Sequence, residues 1–477
     1  MDGQTFATHS IIPKYCSLEK KVLRSLLIII LLALAYGIYY AAQILVIVTG
    51  FDAKQVCNCV FVAGRDTKSV DTSEMGEYPY DLAKYTVNFN DSTITASALG
   101  FIKRKAIYRK GVGCTLISNI KEEELRAQFF SIPQPPEQSD TLLWPYGDKT
   151  DDNIPSNINK EKLEAAVNDA FKEPYAGKKQ RTRAVIVLYD GKLLAEQYAP
   201  GFDKNTKMYG WSMAKSFTSA LVGTLVKANK LDINQPASVP EWSNVKDTRH
   251  NITTKNLLQQ SSGLDFVEKY SGVSDATKML CNEKDMAAYT ANRPLKEAPG
   301  STFYYSSGNS NILARIIRQT VGEKDYAAYP FTALFYKINM YNTLFEPDPS
   351  GTYVGSSYIN ATARDYARFG LLYYNDGVWN GERILPEGWV QQTVTPAPAA
   401  KLKNYGYQFW LNGLDESNTT KRVFPDVPAD MFYCDGYAYQ FIFIIPSKKM
   451  VVVRLGLTLD HSFDENNFLK SIIEATE

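Results

Sequence analysis

Histidine is scarce in this sequence: His9, His250 and His461 are the three among 477 residues. Histidine is the usual general base of hydrolases and a common zinc ligand, yet none of the three lies beside a recognisable nucleophile motif. The sequence also has no dinucleotide-binding or P-loop fingerprint. We therefore expect no metal site, no organic cofactor and no histidine-dependent triad, so that a hydrolase built from this chain must use another base.

Net charge and cysteine are also low. The formal net charge of +1 predicts no general attraction to nucleic acid, and none is expected as a partner. Six cysteines are too few for a disulfide scaffold. A disulfide from Cys114 to either Cys57 or Cys59 is expected, because all three follow an apolar segment into a compartment that can be oxidising. A Cys-x-Cys metal site is less favoured, since no further ligand is nearby.

Charged residues are absent from residues 25–51, a run longer than the roughly 20 residues that span a bilayer. Basic residues lie on its N-terminal side, at Lys14, Lys20, Lys21 and Arg24, and predict a cytosolic N-terminus. The run is too long for the core of a cleavable signal peptide, and no clear cleavage site follows it. We expect a cytosolic tail at 1–24, a transmembrane signal anchor at 25–51 in contact with lipid, and the rest of the chain on the far side of a membrane.

The remaining chain divides into three parts by composition. Residues 52–130 alternate short apolar runs with polar turns, which predicts a β-rich membrane-proximal region. Residues 131–157 are rich in proline and polar residues and indicate a linker or a wrapping arm. From 158 to 477, strands are predicted at both ends, including a hairpin at Asp190-Gly191, with helices between them. This order predicts a mostly antiparallel sheet with a helical insertion, not an alternating βαβ fold.

The candidate nucleophile is Ser212, which is followed three residues later by Lys215. The same spacing occurs at 17–20 and 243–246, so spacing alone is weak. Only Ser212 precedes a charge-free stretch, SFTSALVGTLV at 216–226, which is typical of a buried helix. We expect Ser212 to be the N-cap of that helix and burial to lower the pKa of Lys215. The alternative is a capping serine followed by a lysine that snorkels to solvent.

Several further stretches, in order, resemble the β-lactamase-related serine hydrolases, which include class C β-lactamases, D-alanyl-D-alanine carboxypeptidases, esterases and 6-aminohexanoate-dimer hydrolases. They are WSMAKS at 211–216, LLQQSSGL at 257–264, PGSTFYYSSG at 299–308, ATARDYARFG at 361–370 and DGVW at 376–379. The resemblance covers the chain from about residue 184 to the end. It implies an α/β (α+β) fold of the β-lactamase/transpeptidase type, an antiparallel sheet flanked by helices, with a helical subdomain.

The resemblance also implies roles for three catalytic residues. Ser212 corresponds to the acylated nucleophile, and Lys215 takes or poises its proton. Tyr305 corresponds to the second base, which relays the proton to the leaving group and activates water. The tyrosine segment departs from the Tyr-x-Asn pattern of class C enzymes, because Ser307 stands where those enzymes have Asn. Ser307 can still hydrogen-bond to substrate.

The third family motif departs further. Relatives have Lys-Thr-Gly, or Gly-His-x-Gly-Gln, where this chain reads GYAYQ at 436–440. Tyr437 takes the position of the cationic or histidine side chain, and Tyr439 takes that of the second glycine. A backbone N–H near Tyr439 or Gln440 is expected to complete an oxyanion hole with the N–H of Ser212. Without the cation, a substrate carboxylate such as that of a penicillin is less favoured.

The sequence therefore predicts a membrane-anchored serine hydrolase that forms an acyl-enzyme on a small-molecule ester or amide or on a peptide. Two alternatives stay open. One is a catalytically weak family member that serves as a scaffold or assembles with itself, which the altered third motif favours. The other is a penicillin-binding protein that is acylated without turnover.

Overall fold

A computed structural model describes residues 12–137, 139–151, 153–174 and 177–476. The strands are β1 Lys84–Asn88, β2 Thr93–Ala98, β3 Ile102–Arg109, β4 Gly113–Leu116, β5 Thr182–Tyr189, β6 Lys192–Tyr198, β7 Met208–Tyr209, β8 Leu344–Phe345, β9 Ile359–Ala361, β10 Val378–Trp379, β11 Glu382–Arg383, β12 Trp410–Leu411, β13 Phe432–Gly436, β14 Gln440–Ile445 and β15 Met450–Gly456. The α-helices are α1 Ile12–Cys57, α2 Thr67–Ser73, α3 Glu122–Arg126, α4 Lys160–Asp169, α5 Ala214–Lys227, α6 Thr254–Leu258, α7 Asp275–Asn282, α8 Met286–Ala291, α9 Ser307–Val321, α10 Glu323–Tyr326, α11 Ala363–Tyr374, α12 Trp389–Val394 and α13 Glu465–Glu474.

The main sheet has the strand order β12-β13-β14-β15-β5-β6, and every neighbouring pair is antiparallel. Its central strands are apolar on both faces because helices cover both. One face packs on α11, where Gly370 lets the helix approach Val451 and Ile442 closely. The other face shares a core with α4 and α13. The predicted antiparallel sheet flanked by helices is confirmed, as is the hairpin of β5 and β6.

The helical subdomain is inserted between β7 and β8 and contains α6 to α10. Between it and the sheet lies α5, whose residues from Ala214 to Leu225 are all buried. Complete burial follows from the charge-free composition of 216–226. The N-terminus of α5 is thereby held at the junction of sheet and subdomain, which is where this fold can present side chains to a cleft.

The N-terminal helix α1 has two parts with different surroundings. Residues 21–41 are exposed, and Val48 to Cys57 are buried apart from Phe51, which is half-buried. Within the described residues, one helix is long and apolar enough to cross a membrane, over Lys21–Val62. The buried part packs against the antiparallel sheet β1-β2-β3-β4. The structure pairs Cys57 with Cys114, so of the two expected disulfides it forms the one that leaves Cys59 free.

The described residues of the segment 131–137, 139–151 and 153–157 contact the core that surrounds α5 and α11. Trp144 is buried in the main core, with the guanidinium of Arg368 over its ring. Arg368 also donates hydrogen bonds to the carbonyls of Pro145 and Gly147. The proline-rich composition suits such an extended path, because it prevents the segment from forming a helix or an interior strand.

Candidate active site

The turn at 210–213 carries Ser212, the candidate nucleophile, and joins β7 to α5; it is called the nucleophile turn below. Ser212 is half-buried and lies in a single 3-10 turn, Trp211–Met213, that leads directly into α5. Trp211 has a φ of 49°, in the left-handed region that a bulky side chain rarely adopts. The prediction that Ser212 is the N-cap of α5 is wrong, because Met213 occupies that position without a side-chain cap. The extra 3-10 turn leaves the Ser212 hydroxyl free to meet Lys215.

Lys215 projects from the first turn of α5 and is 1% exposed. Its Nζ donates hydrogen bonds to Ser212 Oγ at 2.9 Å, to Ser307 Oγ at 3.1 Å and to the carbonyl of Ser356 at 3.0 Å. The ring of Tyr305 faces the same ammonium, with its centroid 4.7 Å from Nζ. The lysine therefore does not snorkel to solvent, and all three of its protons have partners.

Burial governs the protonation of this lysine. Loss of solvation lowers the pKa of Lys215 from 10.5 to about 8, while the charges of Glu268 and Asp435 act in the opposite direction and raise it. A pKa near 8 gives a substantial neutral fraction at neutral to mildly alkaline pH. Lys215 can therefore accept a proton from Ser212, because less free energy is needed to deprotonate it first than for a lysine with a pKa of 10.5.

Tyr305 is half-buried at the N-terminal side of α9, against Trp410 and Tyr405. Burial, and after it the neighbouring Tyr405, raise the pKa of Tyr305 well above 10, and the Ser212 hydroxyl offsets this only in part. Tyr305 is thus a neutral phenol in the resting site. Because the pKa of Lys215 is lowered and that of Tyr305 is raised, Lys215 is favoured over Tyr305 as the first proton acceptor.

The sequence analysis missed Glu268, which organises the far side of Lys215. Its carboxylate accepts hydrogen bonds from Ser307 Oγ at 2.5 Å and from the Ser307 backbone N–H at 2.9 Å, at the first turn of α9. The Tyr270 hydroxyl donates to the same carboxylate at 2.6 Å and lies 3.0 Å from Ser307 Oγ. Glu268 lies in a loop with no motif, so the one signal was a carboxylate shortly after the SSGL stretch.

The hydrogen bonds of Ser307 explain how a serine can replace the asparagine of class C enzymes at this position. With its hydroxyl proton directed to Glu268, Ser307 accepts the hydrogen bond from Lys215. Ser307 and Glu268 together therefore present a hydroxyl and a carboxylate near Lys215, where the resemblance implies a single amide in class C enzymes. The result is a negative charge beside the lysine.

Strand β13 forms the other wall of the site, and the sequence analysis did not identify it. A Cβ on Gly436 would collide with the carbonyl oxygen of Gly210, so glycine is needed for the strand to approach the nucleophile turn. Tyr437 follows directly and packs edge-on against Trp211, with ring centroids 5.4 Å apart. Tyr437 is 42% exposed, which places its ring at the rim of the site.

The structure does not bring the side chains of Tyr439 and Gln440 into this group. The Tyr439 hydroxyl lies 2.8 Å from His461 Nδ1, and its ring packs towards α13. The Gln440 side chain bonds to the backbone of Gly456 on β15. In the turn between β13 and β14, Ala438 and Tyr439 have positive φ values, 62° and 67°, and this backbone directs the side chains of Tyr439 and Gln440 to these other partners. The glycine that approaches the nucleophile is Gly436, earlier in the strand than expected.

Asp435 is a second carboxylate that the sequence analysis missed, because the short strand that carries it was not recognised. It is half-buried on β13, beside Gly436. Burial, with the nearby charge of Glu465, raises the pKa of Asp435 to about 7, and Lys215 lowers it. The cleft thus has a buried lysine between two acidic groups. In the part of the chain that the structure covers, no cluster of three or more His, Cys, Asp or Glu side chains suits a metal ion.

Comparison with known proteins agrees with this architecture. The family model described as Beta-lactamase matches residues 167–467. The 6-aminohexanoate-dimer hydrolase of Paenarthrobacter ureafaciens is 25% identical over 266 residues, which are 50% of this chain and 66% of that protein. The chain thus spans just under two thirds of the length of that relative.

Solved structures share the fold at low identity. A candidate 6-aminohexanoate-dimer hydrolase from Bacillus anthracis is 24% identical, with a TM-score of 0.50 over 66% of this chain and 80% of its own. A candidate β-lactamase from Bacteroides dorei is 16% identical, with a TM-score of 0.53 over 67% and 99%. EstCE1, a hydrolase with promiscuous acyltransferase activity, is 14% identical, with a TM-score of 0.52 over 66% and 97%. Since the family model matches more than half of its length, this chain belongs to the β-lactamase-related serine hydrolase family.

Proposed function

We propose that the protein is a serine hydrolase that cleaves an ester or amide through an acyl-enzyme on Ser212. The observation that carries the proposal is the buried Lys215 Nζ, 2.9 Å from Ser212 Oγ, with a pKa of about 8. A neutral amine at that distance is a general base within reach of the proton it must remove.

The reaction proceeds in two acyl transfers. Ser212 Oγ attacks the substrate carbonyl carbon while its proton passes to Lys215 Nζ. The carbonyl carbon then loses its alcohol or amine, which receives a proton relayed through the Tyr305 hydroxyl. Water attacks the resulting acyl-serine, gives its proton back through the same groups, and the carboxylic acid is released as Ser212 regains its hydroxyl proton.

The oxyanion that forms in each step needs two fixed donors. One is the backbone N–H of Ser212. We assign the second to the backbone N–H of Tyr437, because Gly436 is the residue that meets the nucleophile turn. A backbone donor does not depend on the side chain, so replacement of the family's cationic residue by Tyr437 leaves this function intact.

The charges of the site favour a neutral or cationic substrate. Glu268 and Asp435 both act on Lys215, and neither would attract the carboxylate of a penicillin. The similar protein from Paenarthrobacter ureafaciens is named a 6-aminohexanoate-dimer hydrolase, which supports a substrate other than a β-lactam. An ester or a non-peptide amide is therefore favoured over a β-lactam.

Helix α1 supports membrane anchoring with an N-terminus in the cytosol. Its exposed residues 25–41 carry no charge and its later part is built into the folded region, through the disulfide of Cys57 and the buried ion pair of Lys54 with Glu346. A cleavable signal peptide is released from the mature protein. Here the apolar segment continues without a break into a helix that the fold requires, which favours a permanent anchor.

The experiment is labelling with a fluorescent serine-reactive phosphonate beside a fluorescent penicillin. We expect the phosphonate to label the wild-type protein and Ser243→Ala but not Ser212→Ala. Ser243 is a matched control, an exposed serine with the same Ser-x-x-Lys spacing. Slowly released labelling by both reagents would favour a penicillin binder. An absence of labelling by either would favour the scaffold.

A further inference from the structure

We propose that the catalytic region rests on the bilayer through two exposed apolar tips, and that the substrate is a membrane lipid whose acyl ester or amide is presented from that surface. This inference rests on the proposed function for its chemistry and its anchor. Its own basis is the position of two loops relative to the exposed part of α1.

The first tip is the loop from Val267 to Val273, which runs from the catalytic cluster to α1. At its start Glu268 holds Ser307, and at its end Gly272 meets α1, where a Cβ on that glycine would lie 3.3 Å from the Tyr40 hydroxyl. Large side chains of this loop are exposed: Val267 is 47% exposed and Tyr270 is 54% exposed. One short loop therefore connects the proton-transfer groups with the last exposed turn of the apolar helix.

The second tip is the turn between β2 and β3. Leu99 and Phe101 are 72% and 74% exposed, with Gly100 between them. Leu99 has a φ of 51°, a conformation in which Asn, Asp or Gly is normally found. An exposed leucine in an unfavourable backbone conformation lowers the stability of the fold in water, and contact with lipid would remove its apolar side chain from water.

Both tips lie at the same level along α1. Strand β3 follows the helix: Tyr108 pairs with Cys114, which is bonded to Cys57, and Arg104 Nη1 lies 3.7 Å from the position of a Cβ on Gly50. Phe101 lies three residues before Arg104, at the end of the turn that precedes β3, and three extended residues span about 10 Å. That distance corresponds to roughly seven residues of helix, which places Phe101 within about one helical turn of residue 43, since the contact with Gly50 is made by the end of the Arg104 side chain.

This level coincides with the expected edge of the bilayer. A hydrocarbon core of roughly 20 residues that starts at Ser25 ends at Ile44. The exposed stretch of α1 ends at Ala41, and the exposed tyrosines Tyr39 and Tyr40 suit the interface. The helix, the loop and the turn thus end on one plane, a continuity that favours lipid over a second protein as the occupant of both tips.

The height of the nucleophile fits a lipid substrate. Phe51 of α1 stacks on Trp211, next to Ser212, and lies seven residues beyond Ile44, or about 10 Å above the hydrocarbon edge. The carbonyl of a lipid ester would have to rise by about that distance, past the exposed rings of Tyr270 and Tyr304. Amphipathic tyrosines are suited to line such a path.

Docking is tested with the full chain in phosphatidylcholine vesicles, by quenching of an added tryptophan with lipids brominated on the acyl chain. We expect Phe101→Trp to be quenched more than the wild-type protein, and Phe89→Trp to match the wild-type protein. Phe89 is the control because it is 66% exposed at the opposite end of the same sheet, beside Phe61. Equal quenching of both variants would overturn the docking, as would a Phe101-dependent dimer without quenching.

Substrate class is tested with two fluorogenic esters in the same vesicles, a membrane-partitioned oleate and a water-soluble acetate. We expect Phe101→Asp to lower oleate hydrolysis roughly tenfold and to leave acetate hydrolysis unchanged, because a charge resists insertion into the interface. Phe89→Asp should change neither. Unchanged oleate hydrolysis in Phe101→Asp would overturn the lipid substrate, whereas failure of the wild-type protein to hydrolyse acetate or to be labelled by phosphonate would instead overturn the acyl-transfer function.

Discussion

Phe51 stacks on Trp211 with ring centroids 5.6 Å apart and planes 6° from parallel. One ring belongs to the end of the apolar helix and the other to the residue before the nucleophile. Trp211 needs support there because it has a positive φ. The N-terminal helix is therefore a structural part of the candidate active site as well as a candidate anchor.

Phe51→Ala is expected to slow phosphonate labelling of Ser212 about fivefold. An aromatic pair contributes about 1 kcal/mol beyond the area that it buries, and its loss would let the nucleophile turn relax. The rate of labelling in detergent measures the effect. Phe89→Ala, at an exposed ring far from Ser212, should label at the wild-type rate. Equal rates for the two variants would show that the stack does not support the turn.

Activity is expected to rise with pH and to level off above a midpoint of about 8. The reason is that Lys215 must be neutral to accept the Ser212 proton, and its pKa is lowered to about 8 by burial. Lys215→Arg should slow acylation roughly 100-fold or more, since a guanidinium cannot be deprotonated. Single-turnover acylation over a pH range provides the measurement. Wild-type acylation in Lys215→Arg would leave Tyr305 as the sole candidate base.

Glu268→Gln is expected to move the midpoint of the pH profile below that of the wild-type protein. The Glu268 charge raises the pKa of Lys215, so its removal makes the ammonium easier to deprotonate. The midpoint is the informative quantity, because a lower maximum rate could reflect misplacement of Ser307 alone. Asp265→Asn is the control, an exposed carboxylate in the same loop. An unshifted midpoint would mean that Glu268 positions Ser307 without acting on the lysine.

The catalytic region is expected to be protected from protease in sealed vesicles whose cytosolic face is outward. The basic residues before position 25 and the charge-free run after them predict this orientation. Immunoblotting before and after detergent is the readout, and detergent should restore cleavage. Digestion of the large domain in intact vesicles would reverse the orientation.

Much of the fold was predictable because its signals are local. Asp190-Gly191 marks a hairpin, and the charge-free stretch after Lys215 marks a buried helix. The family resemblance supplied the sheet with its flanking helices. Strand β13 escaped prediction because it is short and carries Asp435, a residue that strands disfavour.

The candidate site was predictable where the interacting residues lie within one helical turn of each other in the sequence, as Ser212 and Lys215 do. Glu268 escaped because its partner, Ser307, is 39 residues away, beyond α7 and α8, and the loop that carries Glu268 has no periodic pattern. Gln440 and Tyr439 were expected in the site because GYAYQ at 436–440 was matched position by position to the third family motif. Two successive positive φ values in the turn before β14 direct these side chains elsewhere. The residues with these φ values are Ala438 and Tyr439, and neither residue type predicts a left-handed backbone conformation.

The buried ion pair of Lys54 with Glu346 joins residues 292 positions apart. Glu346 also accepts a hydrogen bond from the backbone N–H of Cys114 at 2.6 Å. During synthesis, Lys54 and β4 emerge long before their shared partner, and a buried lysine without a counter-charge is unfavourable. The disulfide of Cys57 and Cys114 can close early, but the core around it is completed only after most of the chain has been made. The order of synthesis thus makes the region that was built first among the last to become stable.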